Sequence, residues 1–144
     1  MTDYDWLWKK LTKLYDRNPF VGLLRMKIEA LREGEAELSM PVIQEVHTNL
    51  FGVAHGGSLA SLADTVMGVA CATKRSRVVT IDMNINYIQS APSGESVKAR
   101  GWIIHHGKNT MVVEAEILDG SGQLLAKARG TFFVVGQFEQ DDDS

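Results

Sequence analysis

One segment of the chain, residues 57–73, is apolar on nearly every side of a helix. Its larger side chains are separated almost entirely by glycine, alanine and small hydroxyl residues, so no polar stripe crosses the helical wheel. A helix of this kind is buried on most of its sides. The segment is shorter than the roughly 20 apolar residues that span a bilayer, and it contains Asp64. We therefore expect a core helix and no membrane span.

The remainder of the chain shows patterns typical of strands that would surround this helix. A hairpin is predicted at residues 26–40, and four longer strands are predicted at 78–88, 97–104, 110–118 and 124–135. Residues 3–17 have helical periodicity, and residues 41–54 have no sustained period, which indicates an irregular loop. Because the connections are short, we expect strands adjacent in the chain to pair antiparallel around the helix. The predicted fold class is α+β.

Composition excludes several classes of protein. A chain of 144 residues buries roughly two thirds of its surface, which is enough for one core. The net charge of −3 comes from acidic residues near the C-terminus, so the near-neutral body predicts neither nucleic acid nor an anionic membrane as a partner. The single cysteine, Cys71, excludes an intramolecular disulfide, and residues 1–10 do not resemble a secretory signal. We expect a cytoplasmic protein without a metal site.

Asp64 is the only formally charged residue between Val53 and Thr73, and this placement needs an explanation. A buried carboxylate costs several kcal/mol unless it is hydrogen-bonded or paired. One interpretation is a structural aspartate bonded to the backbone or to a hydroxyl such as Ser61 or Thr65. The other is a functional carboxylate, because perturbed acids occur often at active sites.

The start of the same helix favours the functional interpretation. His55, Gly56 and Gly57 directly precede the helical pattern, so unpaired backbone amides there are not covered by side chains. Such amides, together with the helix dipole, stabilise the negative charge that develops on a carbonyl oxygen during acyl transfer. The sequence therefore predicts an oxyanion site next to a carboxylate.

Helix geometry adds a prediction about assembly. Asp64 lies seven residues after Gly57, which is about 10 Å along the axis and about 20° short of two full turns. This separation is wide for a single reacting carbon. A second, antiparallel copy of the helix would bring Asp64 of one chain beside Gly56 of the other. We therefore expect a homodimer with shared active sites.

These residues resemble a known family. Asn49, the stretch from His55 to Gly57, Asp64, and the strand at residues 79–85 are similar to the hotdog-fold acyl-coenzyme A thioesterases of the phenylacetate-degradation type. The resemblance covers residues 18–136, between a predicted N-terminal helix at 1–17 and a flexible acidic tail at 137–144. It implies an antiparallel sheet wrapped around a long central helix, dimers that pair into tetramers, and hydrolysis of acyl-coenzyme A without a cofactor.

The resemblance also implies roles for individual residues. Gly56 would be the backbone donor to the thioester oxygen, with Asn49 and His55 beside the acyl-sulfur end. Asp64 of the opposite subunit would be the general base or the nucleophile, and both roles need it ionised and within reach of the reaction. Thr80 occupies the position of a hydroxyl residue that helps to hold the attacking water.

Further positions are candidates for binding coenzyme A. Gly57 belongs to the glycine pair, and the resemblance makes the turn at Gly107 and Lys108 a possible coenzyme contact. Arg75 follows the C-terminus of the helix. A positive charge there offsets the helix dipole, and this role is sufficient to explain the residue; phosphate binding is the alternative. His47 has the pattern of an ordinary polar loop residue.

Two other functions compete with hydrolysis. A hotdog module without activity, acting as an acyl-coenzyme A sensor or carrier, would be expected to lack the carboxylate or the glycine pair, and both are present. A hydratase would show a differently spaced acid and histidine. Acyl-chain preference is not predicted by the sequence.

Overall fold

The structure is a computed structural model that describes residues 4–140. In chain order the elements are α1 (Asp5–Asp16), α2 (Pro19–Leu23), β1 (Lys27–Arg32), β2 (Glu35–Pro41), α3 (Gln44–His47), α4 (Gly56–Ala72), β3 (Ser76–Tyr87), β4 (Ser96–His106), β5 (Thr110–Leu118) and β6 (Leu124–Gln137). The predicted helices and strands are present, and their ends differ from the predictions by at most two residues. The short helices α2 and α3 were not predicted, and α3 lies within the predicted loop at 41–54.

The strands form one six-stranded antiparallel sheet in the order β1-β2-β4-β5-β6-β3. The prediction that strands adjacent in the chain pair with each other is wrong for β3 and β4. The segment between them is not a hairpin turn, because its backbone bonds to the loop before α4. Ala54 N donates to Ala91 O at 2.7 Å, and Gly94 N donates to Val42 O at 2.8 Å. The chain therefore crosses the end of the sheet, and β3 occupies an edge beside β6.

Helix α4 lies inside the curve of this sheet. Ten of its residues are buried, and it contacts strands from both halves of the sheet. Each large apolar side chain buried in this way contributes about 1.5–3 kcal/mol to the free energy of folding. Strand β4 approaches α4 closely at Gly101, where a Cβ atom would lie 3.1 Å from the Val66 carbonyl oxygen. The glycine thus lets β4 pack directly on the helix backbone.

The N-terminal helix packs against the same body. Leu7 and Leu11 of α1 are fully buried, in a cluster that also contains Ala72 at the end of α4. Of the predicted tail at 137–144, Gln137 belongs to β6 and Phe138 N donates to Arg75 O at 2.9 Å. Residues 1–3 and 141–144 lie outside the described residues. Within residues 4–140, no helix is long and apolar enough to cross a bilayer.

Candidate active site

Asp64 is held by a hydroxyl from a neighbouring strand. Thr80 of β3 donates from Oγ1 to Asp64 Oδ1 at 2.7 Å. The two helix hydroxyls that the sequence offered as partners are used elsewhere, because Ser61 donates to Gly57 O and Thr65 donates to Ser61 O. Asp64 is half-buried rather than buried in the core. Its carboxylate opens onto a cleft beside β3.

This cleft, which we call the Asp64 cleft, has a volume of about 490 Å³. One side is formed by α4 and the ends of β3 and β6. The other side is formed by the N-terminal segment. The sequence did not predict that this segment contributes to the site. The residues contributed by that segment are Tyr15, Asn18, Phe20 and Val21.

Two other titratable groups near the cleft stay neutral at ordinary pH. Burial raises the pKa of Tyr15 to about 12, with smaller contributions from Cys71 and from the negative charge of Asp64. Burial likewise raises the pKa of the Cys71 thiol to about 12. A thiol is nucleophilic only as a thiolate, so Cys71 is not suited to attack a substrate. Of these groups, Asp64 is the one suited to act as a base.

The N-terminus of α4 is capped by His55. The His55 Nδ1 atom accepts a hydrogen bond from Gly57 N at 2.8 Å, and the His55 backbone carbonyl accepts from Ser58 N. Gly57 therefore serves the helix cap rather than presenting a free amide. Gly56, the first helical residue, has an N–H without an acceptor in residues 4–140. The cap thus leaves the Gly56 amide as the free donor at this end of the helix.

Gly56 is also packed against Tyr87, a residue that sequence analysis missed. The Tyr87 hydroxyl donates to Gly56 O at 2.7 Å. A Cβ atom at position 56 would lie 3.1 Å from Tyr87 Cζ, so a larger residue would crowd the ring. Residues 56 and 87 are far apart in the chain, and no local pattern connects them.

Asn49 lies at the same end of α4 as Gly56. Its Oδ1 atom accepts from Phe51 N at 2.8 Å, which shapes the loop before the helix. Asn49, Gly56 and Tyr87 line a second cavity of about 400 Å³. Gly56 precedes Asp64 by eight residues, about 12 Å along the helix axis. Within one chain, the predicted catalytic residues therefore form two separate groups.

The four predicted coenzyme contacts, Gly57, Arg75, Gly107 and Lys108, line neither cavity. Gly107 donates its amide to Thr110 O at 2.9 Å within the β4–β5 turn that also contains Lys108. Phosphate binding was predicted as one role of Arg75, but in the structure its side chain has structural contacts. Its guanidinium donates to Phe138 O at 3.2 Å and lies 5.4 Å from the centre of the Trp6 ring. Arg75 therefore joins the end of β6 to α1.

His47 is a structural residue rather than an ordinary polar loop residue. It is fully buried, accepts at Nδ1 from Ile43 N at 3.0 Å, and bonds through Nε2 to Leu24 O at 2.6 Å. Its backbone carbonyl accepts from His55 N. His47 thus fixes the loop that leads to the cap of α4.

An antiparallel sheet of this topology around one long helix is the hotdog fold. The carboxylate that faces a cleft and the glycines at the helix N-terminus are the site of a thioesterase with that fold. The chain belongs to the thioesterase superfamily, whose family model matches residues 51–126. The predicted fold and the prediction of an enzyme of this class are confirmed.

Individual relatives agree with this assignment. The chain is 28% identical over 129 residues to acyl-coenzyme A thioesterase PaaI of Escherichia coli, covering 90% of this chain and 91% of the relative. The solved structure of that PaaI protein superposes with a TM-score of 0.88 at 26% identity, covering 94% and 98% of the two chains.

A thioesterase protein from Streptococcus pneumoniae, solved with coenzyme A, has a TM-score of 0.76 at 30% identity, covering 79% of this chain and 91% of that one. Two further structures of the Streptococcus protein each carry one alanine, in place of an aspartate and a threonine respectively. Those two positions are sixteen residues apart, as are Asp64 and Thr80.

Proposed function

We propose that this protein hydrolyses acyl-coenzyme A thioesters to the free acid and coenzyme A. The observation that carries the proposal is the Thr80–Asp64 hydrogen bond at the mouth of an open cleft. The name of the Escherichia coli relative and the coenzyme A bound to the Streptococcus protein support coenzyme A thioesters as the substrate class. The cytoplasmic location inferred from composition stays a prediction.

In this mechanism Asp64 acts as the general base toward water or as the nucleophile. The Thr80 hydroxyl orients one carboxylate oxygen and leaves the other for the reacting group. The Gly56 amide, at the positive end of the helix dipole, donates to the thioester oxygen as negative charge develops there. Asn49 and His55 shape the loop and the cap that present this amide. The reaction needs no metal or cofactor in this scheme.

The two groups of catalytic residues would complete each other in a dimer. Strand β3 is an edge strand of twelve residues, and Val79 and Ile81 on it are 53% and 54% exposed. A long edge with exposed apolar side chains favours pairing with another strand. Pairing of two β3 edges across a two-fold axis would set the α4 helices antiparallel. Asp64 of one chain would then face Gly56 of the other, and two such dimers would form the predicted homotetramer.

Release of free thiol tests the proposed reaction. The purified protein is incubated with acyl-coenzyme A thioesters of short, medium, long and aromatic acyl groups, and thiol is detected with a chromogenic reagent. Saturable turnover of at least one thioester is expected. Saturable binding of these thioesters without thiol release across the whole panel would instead indicate a sensor or carrier.

Mixing two inactive variants tests whether the site is shared. One chain carries Asp64→Asn, and the other carries Gly56→Pro, which removes the backbone N–H. In a mixed dimer with shared sites, one site combines both defects and the other is native. Equal co-expression makes half of the dimers mixed, so activity should recover to about a quarter of the native value.

The controls for this experiment are each variant expressed alone and the two variants purified separately and mixed without subunit exchange. Both should remain at the low activity of the single variants. No recovery in co-expressed material that contains mixed dimers would place Asp64 and Gly56 of the same chain in each site.

A further inference from the structure

Gly68 is an unusual residue in helix α4. It lies one turn after Asp64 and lines the Asp64 cleft, yet a Cβ atom at this position would meet no heavy atom within 4 Å. Gly130, by contrast, is required by packing, because a Cβ atom there would lie 3.0 Å from the Phe132 ring. Glycine within a helix is unfavourable relative to alanine. Packing within residues 4–140 gives no reason for a glycine at position 68.

The space above Gly68 faces the N-terminal segment. Tyr15 and Phe20 line the opposite side of the same cleft. Ala72, one further turn along α4, also lines the cleft. The cleft therefore extends from Asp64 along the helix, and both apolar and polar side chains, Arg77 among them, line it. Gly68 lies about 6 Å and Ala72 about 12 Å from Asp64 along the axis.

We propose that the acyl group of the substrate lies over Gly68, between α4 and the N-terminal segment, and that the absence of a side chain at Gly68 sets the largest acyl group accepted. This inference rests on the proposed thioesterase function. With the carbonyl carbon held near Asp64, a short acyl group ends before Gly68. A longer chain or an aromatic ring extends over Gly68 toward Ala72, in contact with Tyr15.

Enlarging the residue at position 68 tests the proposal. Gly68→Ala and Gly68→Leu are compared with the native protein on acetyl-, butanoyl-, octanoyl- and benzoyl-coenzyme A. The ratio of kcat/KM for octanoyl to that for acetyl should fall in the order Gly, Ala, Leu. The decrease should be about tenfold or more for Leu, because the added atoms occupy the space of the longer chain. The thermal midpoint of Gly68→Ala should be equal to or above the native value.

The matched control is Gly22→Ala. Gly22 is also a helical glycine at which an added Cβ atom would meet no heavy atom within 4 Å, but it does not line the Asp64 cleft. Its substitution should leave the octanoyl-to-acetyl ratio at the native value. The comparison therefore separates filling of the cleft from a general effect of alanine in a helix.

The possible outcomes separate this inference from the proposed function. If folded Gly68→Leu keeps the native octanoyl-to-acetyl ratio of kcat/KM, the inference is overturned and the thioesterase proposal is left intact. The same holds if the native protein hydrolyses only acetyl-coenzyme A. Absence of turnover of every thioester by the native protein overturns both. If Gly68→Leu does not fold, Gly68→Ala tests the inference. Its octanoyl-to-acetyl ratio of kcat/KM should also fall, by a smaller factor, and an unchanged ratio would overturn the inference.

Discussion

Replacing Asp64 with asparagine is expected to lower kcat for acyl-coenzyme A hydrolysis by about 100-fold to 10,000-fold. The amide has nearly the volume of the carboxylate and still accepts the Thr80 hydrogen bond through its oxygen. It cannot take a proton from water or attack a thioester, so the contribution of the base or nucleophile is lost. Initial rates of thiol release with saturating substrate measure the effect.

Two comparisons make this result specific to the carboxylate. Asp16→Asn removes an exposed carboxylate at the end of α1, outside the residues that line the cleft, and should leave kcat unchanged. Thr80→Val removes the donor to Asp64 and should lower kcat by about tenfold, whereas Thr80→Ser should preserve it. Near-native turnover by folded Asp64→Asn would exclude Asp64 from the mechanism.

Replacing Gly56 with proline is expected to lower kcat/KM by about 100-fold to 1,000-fold, the usual effect of losing one oxyanion donor. Proline is well tolerated as the first residue of a helix, where its missing N–H has no helical partner. His55 already has φ −63° and ψ 138°, which suits the residue before a proline. The substitution therefore removes the proposed donor while keeping the backbone conformation of the helix start.

Gly56→Ala is the matched control, because it keeps the N–H and adds the same first side-chain carbon. That carbon would lie 3.1 Å from Tyr87 Cζ in both variants, so crowding of Tyr87 is common to them. The extra loss in Gly56→Pro relative to Gly56→Ala measures the contribution of the amide. Equal losses in two folded variants would show that crowding, and not a hydrogen bond to the thioester oxygen, explains the effect.

The sequence predicted those parts of the site that depend on local geometry. The start of α4 after His55, the glycines there and the position of Asp64 on α4 follow from helix periodicity and from the residues at the helix start. The choice of Thr80 came from the family resemblance, and the structure places its hydroxyl on Asp64. Tyr15 and Tyr87 were missed because their relation to α4 depends on contacts between distant segments.

The sequence by itself determined the longer helices, the strands and the class of the fold, because the periodicity of apolar residues decides which face of each element is buried. Only the tertiary structure decided that β3 lies beside β6 and that Asp64 is half-buried beside Thr80. It also placed the N-terminal segment across the cleft from Gly68. These arrangements depend on how elements far apart in the chain pack together, and local residue patterns carry no information about that packing.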